Sequence, residues 1–384
     1  MPINCSGRDA ITGAVLDIRG NGLISSVDHV VGDTGGVPWI APGWIDLQVN
    51  GFAGVDYCSP SAPLEEIARS VHVQYATGVT RFYPTIITGS ASDMIGALAN
   101  LARAKESLAE GVAMEGFHVE GPHISAEDGP RGAHPRHHVR PPDLDEFRRM
   151  QEAARGHIRL VTVAAEWPQA PAFIEALTRQ GVVVSIGHTK ANGDQIRDAV
   201  SAGATMSTHL GNGAHAVLER HPNYIWEQLA EDRLAASFIV DGIHLPKSFL
   251  VVALRAKGLE RSVLVTDAVM PAGCKPGRYK LGELDVELMP DDRVVLVGQT
   301  RLAGSSLRMD RGIGNLMKLA GLSLAEAVTM ATRNAARVGR IASRQRGLLP
   351  GERTDLVEFD YDASAKSIRV LRTIVGGEEV YRAG

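Results

Sequence analysis

Apolar positions along the chain gather into eight short runs, at residues 45–50, 79–86, 112–120, 158–165, 182–188, 204–209, 235–241 and 262–267. They read as buried strands. Between most of them lie helical stretches, as at 171–180, 193–202 and 245–257, and another follows the last run at 324–338. Strands alternating with helices predict a parallel sheet, and eight such units predict a (β/α)8 barrel. In that fold the strand C-termini converge on the active site. Glu120, His188, His209 and Asp267 are expected to close strands three, five, six and eight.

The ends of the chain carry a different pattern. Short β-type pieces at 14–18 and 23–27 are broken by Gly20, Gly22, Gly32, Gly35 and Gly36. The last forty residues behave alike, with β-rich pieces at 354–359, 367–375 and 379–381. Neither end could bury much surface alone, since a stable sheet needs several strands and a covered face. The expected solution is one small β-sandwich domain beside the barrel, built from residues 1–40 and 343–384, with the barrel at 41–342. No internal repeat or low-complexity segment occurs. One irregular stretch, 121–143, is rich in Pro, Gly, His and Arg. Long loops at a barrel mouth commonly act as lids or binding loops.

Composition then excludes several classes of partner. Forty basic against 44 acidic residues give a net charge of −4, with no basic block to attract nucleic acid. No run reaches the roughly eighteen apolar residues that a membrane span needs. Arg8, Asp9 and Asp17 interrupt the place where a signal peptide would be apolar. Cys5, Cys58 and Cys274 are too few and too scattered for a disulfide framework or a thiolate zinc site. The expectation is a cytoplasmic enzyme.

The candidate chemistry is metal chemistry. Without thiolates, zinc takes imidazole nitrogen and carboxylate oxygen, and a catalytic site offers three protein ligands plus water. Glu120, His188 and His209 supply one carboxylate and two imidazoles. A single histidine at a strand end is ordinarily just a polar residue, and His29, His72, His157 and His215 are read that way. His188 and His209 differ because each follows an apolar run, and 21 residues separate them, about one strand–helix repeat. Asp267 closes the run Val263-Leu264-Val265-Thr266, where a carboxylate needs a partner. It is either a buried structural Asp or the base that takes a proton from water beside the metal. The assembled site favours the base.

These residues sit in segments that resemble a family. Pro42-Gly43-Trp44-Ile45-Asp46-Leu47-Gln48-Val49-Asn50-Gly51, Gly116-Phe117-His118-Val119-Glu120-Gly121-Pro122, Gly187-His188-Thr189, Thr208-His209-Leu210, Asp241-Gly242-Ile243-His244, Val265-Thr266-Asp267-Ala268 and Leu302-Ala303-Gly304-Ser305-Ser306-Leu307 follow one another in order. Together they resemble the N-acetylglucosamine-6-phosphate deacetylases of the amidohydrolase superfamily. The resemblance implies a TIM-like barrel of the metal-dependent amidohydrolase type. It implies one divalent metal per subunit, usually zinc, on Glu120, His188 and His209, with Asp267 as general base and then acid. Gln48 and Asn50 stand where many superfamily members carry His-x-His for a second metal. Neutral amides are poor zinc ligands, so these positions are read as a vestigial second site.

Substrate contacts carry over by the same resemblance. Ala133 and His134 match the segment whose histidine lies near the scissile carbonyl or the sugar hydroxyls. Asp241 and His244 match a pair whose histidine touches substrate. Asn212 and Gly213 stand where backbone amides help to hold phosphate, and Arg220 matches a phosphate-binding arginine often supplied by the partner of a homodimer. Leu302, Ala303 and Gly304 match a loop that closes over the sugar. The expected partner molecule is thus a phosphorylated amino sugar. Two departures stand out. The run after His209 is Leu210-Gly211-Asn212-Gly213-Ala214 in place of an aromatic and Asn-Ala-Met, and Gly51-Phe52-Ala53-Gly54 replaces a glycine-richer loop. The segment 221–230, with Trp226, is also unlike the family. Competing readings are a deacetylase of another amino sugar, another N-acyl amidohydrolase, and a non-enzymatic scaffold. Retention of all four metal and proton-transfer residues argues against the scaffold. No Gly-x-Ser-x-Gly elbow and no phosphate-binding Gly-x-x-x-x-Gly-Lys-Ser/Thr loop is present.

Overall fold

A computed structural model describes residues 3–31 and 36–384. The eight expected barrel strands all form, at Trp44–Val49, Val79–Ile87, Phe117–Glu120, Ile158–Val163, Val183–Ile186, Met206–Ser207, Ala235–Ile239 and Ser262–Val265. Each pairs in parallel with its neighbour in chain order. The first and last strands meet through the Asp267 N–H donating to Gln48 O at 3.0 Å and Asn50 N–H donating to Ala268 O at 2.7 Å. The sheet is therefore a barrel, and its closure runs through the site itself.

Strand alternation separates two apolar populations. Ile45, Leu47, Tyr83, Leu160, Val183, Met206, Ile239, Val263 and Val265 fill the interior, plugged from one end by Ala335, Ala336 and Ile341. Their sequence neighbours Phe82, Val161, Val184, Phe238 and Leu264 point outward under the helices. Towards the C-terminal mouth the interior turns polar. His118 Nε2 lies 2.8 Å from Thr162 Oγ1, and Thr208 Oγ1 lies 2.7 Å from Thr162 Oγ1 and 2.6 Å from Ser185 Oγ. Hydroxyls and an imidazole that bond one another can be buried at little cost.

Some expectations need correction. Val112 belongs to a 3-10 turn, Ala109–Ala113, so strand three starts only at Phe117. The stretch 324–338 is two helices, Leu324–Ala331 and Arg333–Val338, divided at Thr332, whose backbone (φ −131°, ψ −92°) is not helical. Residues 221–230 contain a short helix, Tyr224–Ala230, capped by Asn223 Oδ1 accepting from the Ile225 and Trp226 N–H groups. After the last barrel strand comes an unforeseen four-stranded antiparallel sheet, Gly277–Leu281, Leu284–Leu288, Arg293–Leu296 and Leu302–Ser305. Leu302–Gly304, expected as a loop, are thus part of its edge strand.

The chain ends do join. One seven-stranded sheet runs Glu378–Arg382, Ser367–Val375, Leu356–Asp362, Trp39–Pro42, Ile3–Asp9, Val15–Asn21 and Leu23–His29. Trp39–Pro42 is the seam, antiparallel to Leu356–Asp362 and parallel to Ile3–Asp9, and it runs two residues past position 40. Ile18, Ile24, Ile40, Leu356 and Ile374 make its apolar core.

A buried ion network fixes this sheet to the barrel. Asp355, directly before Leu356–Asp362, accepts from Arg81 Nε at 2.8 Å and Nη2 at 3.0 Å, from Arg344 Nη1, and from the Gly376 N–H at 2.7 Å. Arg81 lies on barrel strand two, and Arg344 also donates to Gly43 O at the start of strand one. Burial alone would raise the Asp355 carboxyl, but the two guanidiniums overcome this and bring it down to about 2. Asp355→Ala should cost about 3–5 kcal/mol, because it strands two buried guanidiniums. The folded pKa lies below the usual carboxylate value of about 3.9, so this stability is present above pH 4 and is lost as pH falls towards 2. Thermal melts of both proteins at pH 7 and pH 3 check this; equal melting temperatures at pH 7 would remove the network from the fold's support.

Candidate metal centre at the barrel mouth

Strand alternation aims Glu120 inward, in phase with His118, and Asp267 inward, in phase with Val265. His188 and His209 are out of phase, because Thr208 and Ser185 already point inward. Both histidines adopt left-handed backbone, φ 48° and φ 29°, which turns their rings back into the mouth, and Asp267 has φ 52°. Such conformations persist in non-glycine residues only where surrounding structure enforces them. Gly187 permits the turn: a Cβ there would stand 2.8 Å from both Thr162 Cγ2 and Thr208 Cβ.

The result is a tight triangle. Glu120 Oε1 lies 3.2 Å from His188 Nε2 and 2.9 Å from His209 Nε2, and the two Nε2 atoms are 3.1 Å apart. A tetrahedral zinc with bonds near 2.0–2.1 Å spaces its ligands about 3.3 Å apart, so this triangle is close to one face of such a site. All three residues are buried. His188 Nδ1 lies 2.8 Å from Pro130 O, which fixes that N–H and leaves Nε2 bare to bind. His209 Nδ1 is buried without a hydrogen-bond partner. Burial opposes ionisation of Glu120, yet the two imidazoles hold its carboxyl well below the usual range. The donor set fits a divalent ion.

His134 is a competitor for the third place, since its ring, Glu120 and His188 present ligand atoms within 4.8 Å of one another. Its ring centroid is 4.4 Å from that of His188, and its Nδ1 lies 2.9 Å from Thr88 Oγ1. The Glu120–His188–His209 set is tighter and keeps all three donor atoms converging. Burial and then the neighbouring His188 depress the His134 ring to about 3, so it stays neutral.

Across the triangle, Asp267 Oδ1 accepts from Gln48 Nε2 at 3.0 Å and Asn50 Nδ2 at 2.7 Å. Gln48 Nε2 also reaches Glu120 Oε1 at 3.0 Å. The amides therefore present N–H groups, not oxygens, towards the carboxylates, and their own buried oxygens lack partners. Neutral donors therefore bridge the two carboxylates. Burial, and then the charge of Glu120, raise Asp267 to about 6. A cation held in the triangle would oppose that rise.

Around this core lies a cavity of about 130 Å³, walled by Gly132, Ala133, His134, Asn212, Gly213, His244, Leu302 and Gly304 as expected. Ile87, Ile239, Val269 and Leu281 line it too and were not anticipated. Ile87 and Ile239 could have been found as apolar strand ends; Leu281 sits on the unforeseen sheet. Nor could the sequence point to Pro130, which acts through its carbonyl. Ala303 is buried behind the wall, because strand alternation gives the cavity face to Leu302 and Gly304. Asp241 stands behind His244, its Oδ2 2.6 Å from the ring Nδ1 and its Oδ1 accepting two backbone N–H groups. The Asn212 N–H and Nδ2 both donate to His209 O, at 3.0 and 3.2 Å, so of the expected phosphate-binding pair only the Gly213 N–H is uncommitted among the described residues. Gly213 has φ 55°, and a Cβ would lie 2.6 Å from His188 Nδ1, which accounts for glycine there. Arg220 is exposed and does not line this cavity.

A closed parallel barrel with two imidazoles, a carboxylate and a facing Asp at its mouth defines the metal-dependent amidohydrolases. No family model matches the chain. It is 35% identical over 358 residues to the N-acetylglucosamine-6-phosphate deacetylase of Bos taurus, covering 89% of this chain and 83% of that one. To the Bacillus subtilis N-acetylglucosamine-6-phosphate deacetylase it is 32% identical over 341 residues, covering 88% and 83%. The Shewanella N-acetylgalactosamine-6-phosphate deacetylase is 33% identical over 352 residues, covering 90% and 84%. The structure of the Mycobacterium smegmatis N-acetyl-D-glucosamine-6-phosphate deacetylase superposes with a TM-score of 0.88 at 28% identity, covering 99% of this chain and 100% of that one. This chain belongs to the N-acetylglucosamine-6-phosphate deacetylase family of metal-dependent amidohydrolases.

Metal removal should destabilise the protein. A divalent ion at a hundred times its dissociation constant adds about 2.7 kcal/mol, so the melting temperature should rise on reloading. His209→Ala and His188→Ala should abolish that rise and the bound metal, whereas His134→Ala should keep both. Elemental analysis with thermal melts decides it; metal lost in His134→Ala and kept in His209→Ala would reassign the triangle.

Proposed function

We propose that the chain hydrolyses the acetamide of N-acetyl-D-glucosamine 6-phosphate, releasing glucosamine 6-phosphate and acetate. The observation that carries this is the buried Glu120–His188–His209 triangle facing the Asp267 carboxylate in one small cavity. In this reading residues 41–342 are the catalytic barrel, residues 1–40 and 343–384 support it, and the enzyme works in the cytoplasm.

Glu120, His188 and His209 would hold a single ion. Zinc suits two imidazoles and a carboxylate, and the amides of Gln48 and Asn50 leave no second anionic pocket. Such an ion polarises an acetamide carbonyl and acidifies water at neutral pH. Asp267, fixed by two amide donors, takes the proton of the attacking water and hands it to the leaving amine. With Thr88 donating to Nδ1, neutral His134 presents Nε2–H to the developing oxyanion. Asp241 orients His244 towards the sugar, and Leu302 and Gly304 wall it, with Ala303 packed behind.

Phosphate recognition rests on the Gly213 N–H and Arg220. A planar guanidinium suits phosphate, but the exposed position of Arg220 places it outside its own chain's cavity. We assign it to the partner's site in a homodimer. Val217 and Trp226, 87% and 48% exposed, leave apolar surface on the same segment for such a contact. A second reading, N-acetylgalactosamine 6-phosphate as substrate, is supported by relatives named for that activity at 32–33% identity, close to the 32–35% of the Bacillus subtilis and Bos taurus N-acetylglucosamine-6-phosphate deacetylases.

Asp267→Asn keeps an oxygen to accept from Gln48 and Asn50, so it should fold and retain metal while kcat falls at least about a hundredfold, the usual loss for a general base. Near-normal turnover would make Asp267 structural. A deacetylation screen over both N-acetylhexosamines, phosphorylated and free, identifies the substrate. Arg220→Ala should lower kcat/KM for the phosphosugar about tenfold or more, as loss of a charged hydrogen bond does, and spare the free sugar. Equal losses on both would take Arg220 out of phosphate binding.

A further inference from the structure

The two segments that wall the cavity also meet at the surface, through a second cluster of metal-binding groups. His137 and His138 lie in a 3-10 turn, Arg136–His138, within the 121–143 loop. Glu283 lies in the turn between Gly277–Leu281 and Leu284–Leu288 of the four-stranded sheet. His137 Nε2 is 3.2 Å from Glu283 Oε1, and His138 Nε2 is 3.2 Å from Glu283 Oε2. The two rings lie side by side, centroids 4.0 Å apart, and one ligand atom from each residue falls within 4.8 Å of the others.

Two histidines aimed at one carboxylate are more than an ion pair needs. All three groups are partly exposed, and exposed ion pairs contribute little in water. Imidazole and carboxylate are, however, the donor set that zinc, nickel and copper prefer. Three ligands around one zinc stand about 3.3–3.6 Å apart, so a small side-chain adjustment would seat an ion. We propose that His137, His138 and Glu283 form a second, exchangeable transition-metal site that clasps the 121–143 loop to the four-stranded sheet.

The clasp matters because of what it joins. The loop supplies Gly132, Ala133 and His134 to the cavity wall, and the sheet supplies Leu281, Leu302 and Gly304. A neighbouring tie runs the same way, Arg301 Nη1 donating to Gly132 O at 3.2 Å. Loops that wall such a cavity commonly move as substrate enters and product leaves. An ion held by two loop histidines and by Glu283 of the sheet ties the two walls together, so excess zinc slows turnover without touching the reacting groups.

The test uses holoenzyme with its catalytic metal in place, titrated with zinc alone by calorimetry and equilibrium dialysis. One additional ion per chain should bind at micromolar zinc and exchange into a mild chelator. On loading, the 121–143 loop should gain protection from limited proteolysis and kcat should fall several-fold. His137→Ala/His138→Ala and, separately, Glu283→Gln should lose the extra ion and the inhibition, while keeping the catalytic ion and basal activity. An extra ion bound equally well by these variants, or none bound at all, would overturn the site. Binding without protection or slowing would overturn the clasp. Stoichiometry and proteolysis do not depend on the substrate assignment, so failure here is distinguishable from failure there.

Discussion

Three nitrogens and one carboxylate oxygen crowd together at the barrel mouth, and the rest of the site follows from keeping them there. Glu120 Oε1 has His188 Nε2, His209 Nε2 and Gln48 Nε2 all within 3.2 Å. Two imidazole nitrogens facing each other at 3.1 Å gain nothing from that approach unless a proton or a cation lies between them and the carboxylate. The scaffold therefore has to impose the arrangement. It does so with two left-handed histidine backbones, a glycine packed against two threonines, and the Pro130 carbonyl that locks one ring.

The surroundings of that triangle set its chemistry. Along the barrel axis the interior passes from aliphatic side chains to a mutually bonded set of hydroxyls with His118, and then to charged groups at the mouth. Charge lies at the two ends: the Arg81–Asp355–Arg344 network balances itself at one, and the mouth gathers carboxylates where a cation can balance them. Gln48 and Asn50 separate the carboxylates of Glu120 and Asp267 with N–H donors, which lets two acids share a buried cavity. The side of the cavity near Asn212 is sparsely supplied with donors within one chain. Asn212 spends its donors on the His209 carbonyl, Gly213 offers one N–H, and Arg220 is turned out to solvent.

Much of this was legible beforehand, for identifiable reasons. Strands buried on both faces leave near-continuous apolar runs, so all eight were located, with errors mainly at their ends. Strand three was drawn too early because Val112 is apolar although it sits in a 3-10 turn, half exposed. The four-stranded sheet was missed because its strands mix charged and apolar residues and lie near the surface, as in Gly277–Leu281. The break at Thr332 carries no proline or glycine to announce it.

What the sequence by itself determined is the barrel, the joining of the two ends, and which ligand-capable side chains stand at the strand ends, because these depend on local periodicity and on residue chemistry at strand ends. Tertiary structure alone decided which of three histidines stand closest to Glu120, that the Gln48 amide bridges two carboxylates, and that Ala303 lies behind the wall while Leu302 faces the cavity. Those outcomes depend on φ at single residues, on a carbonyl such as that of Pro130, and on contacts between positions up to 219 residues apart. Most of them are set only when segments far apart in the chain pack against one another.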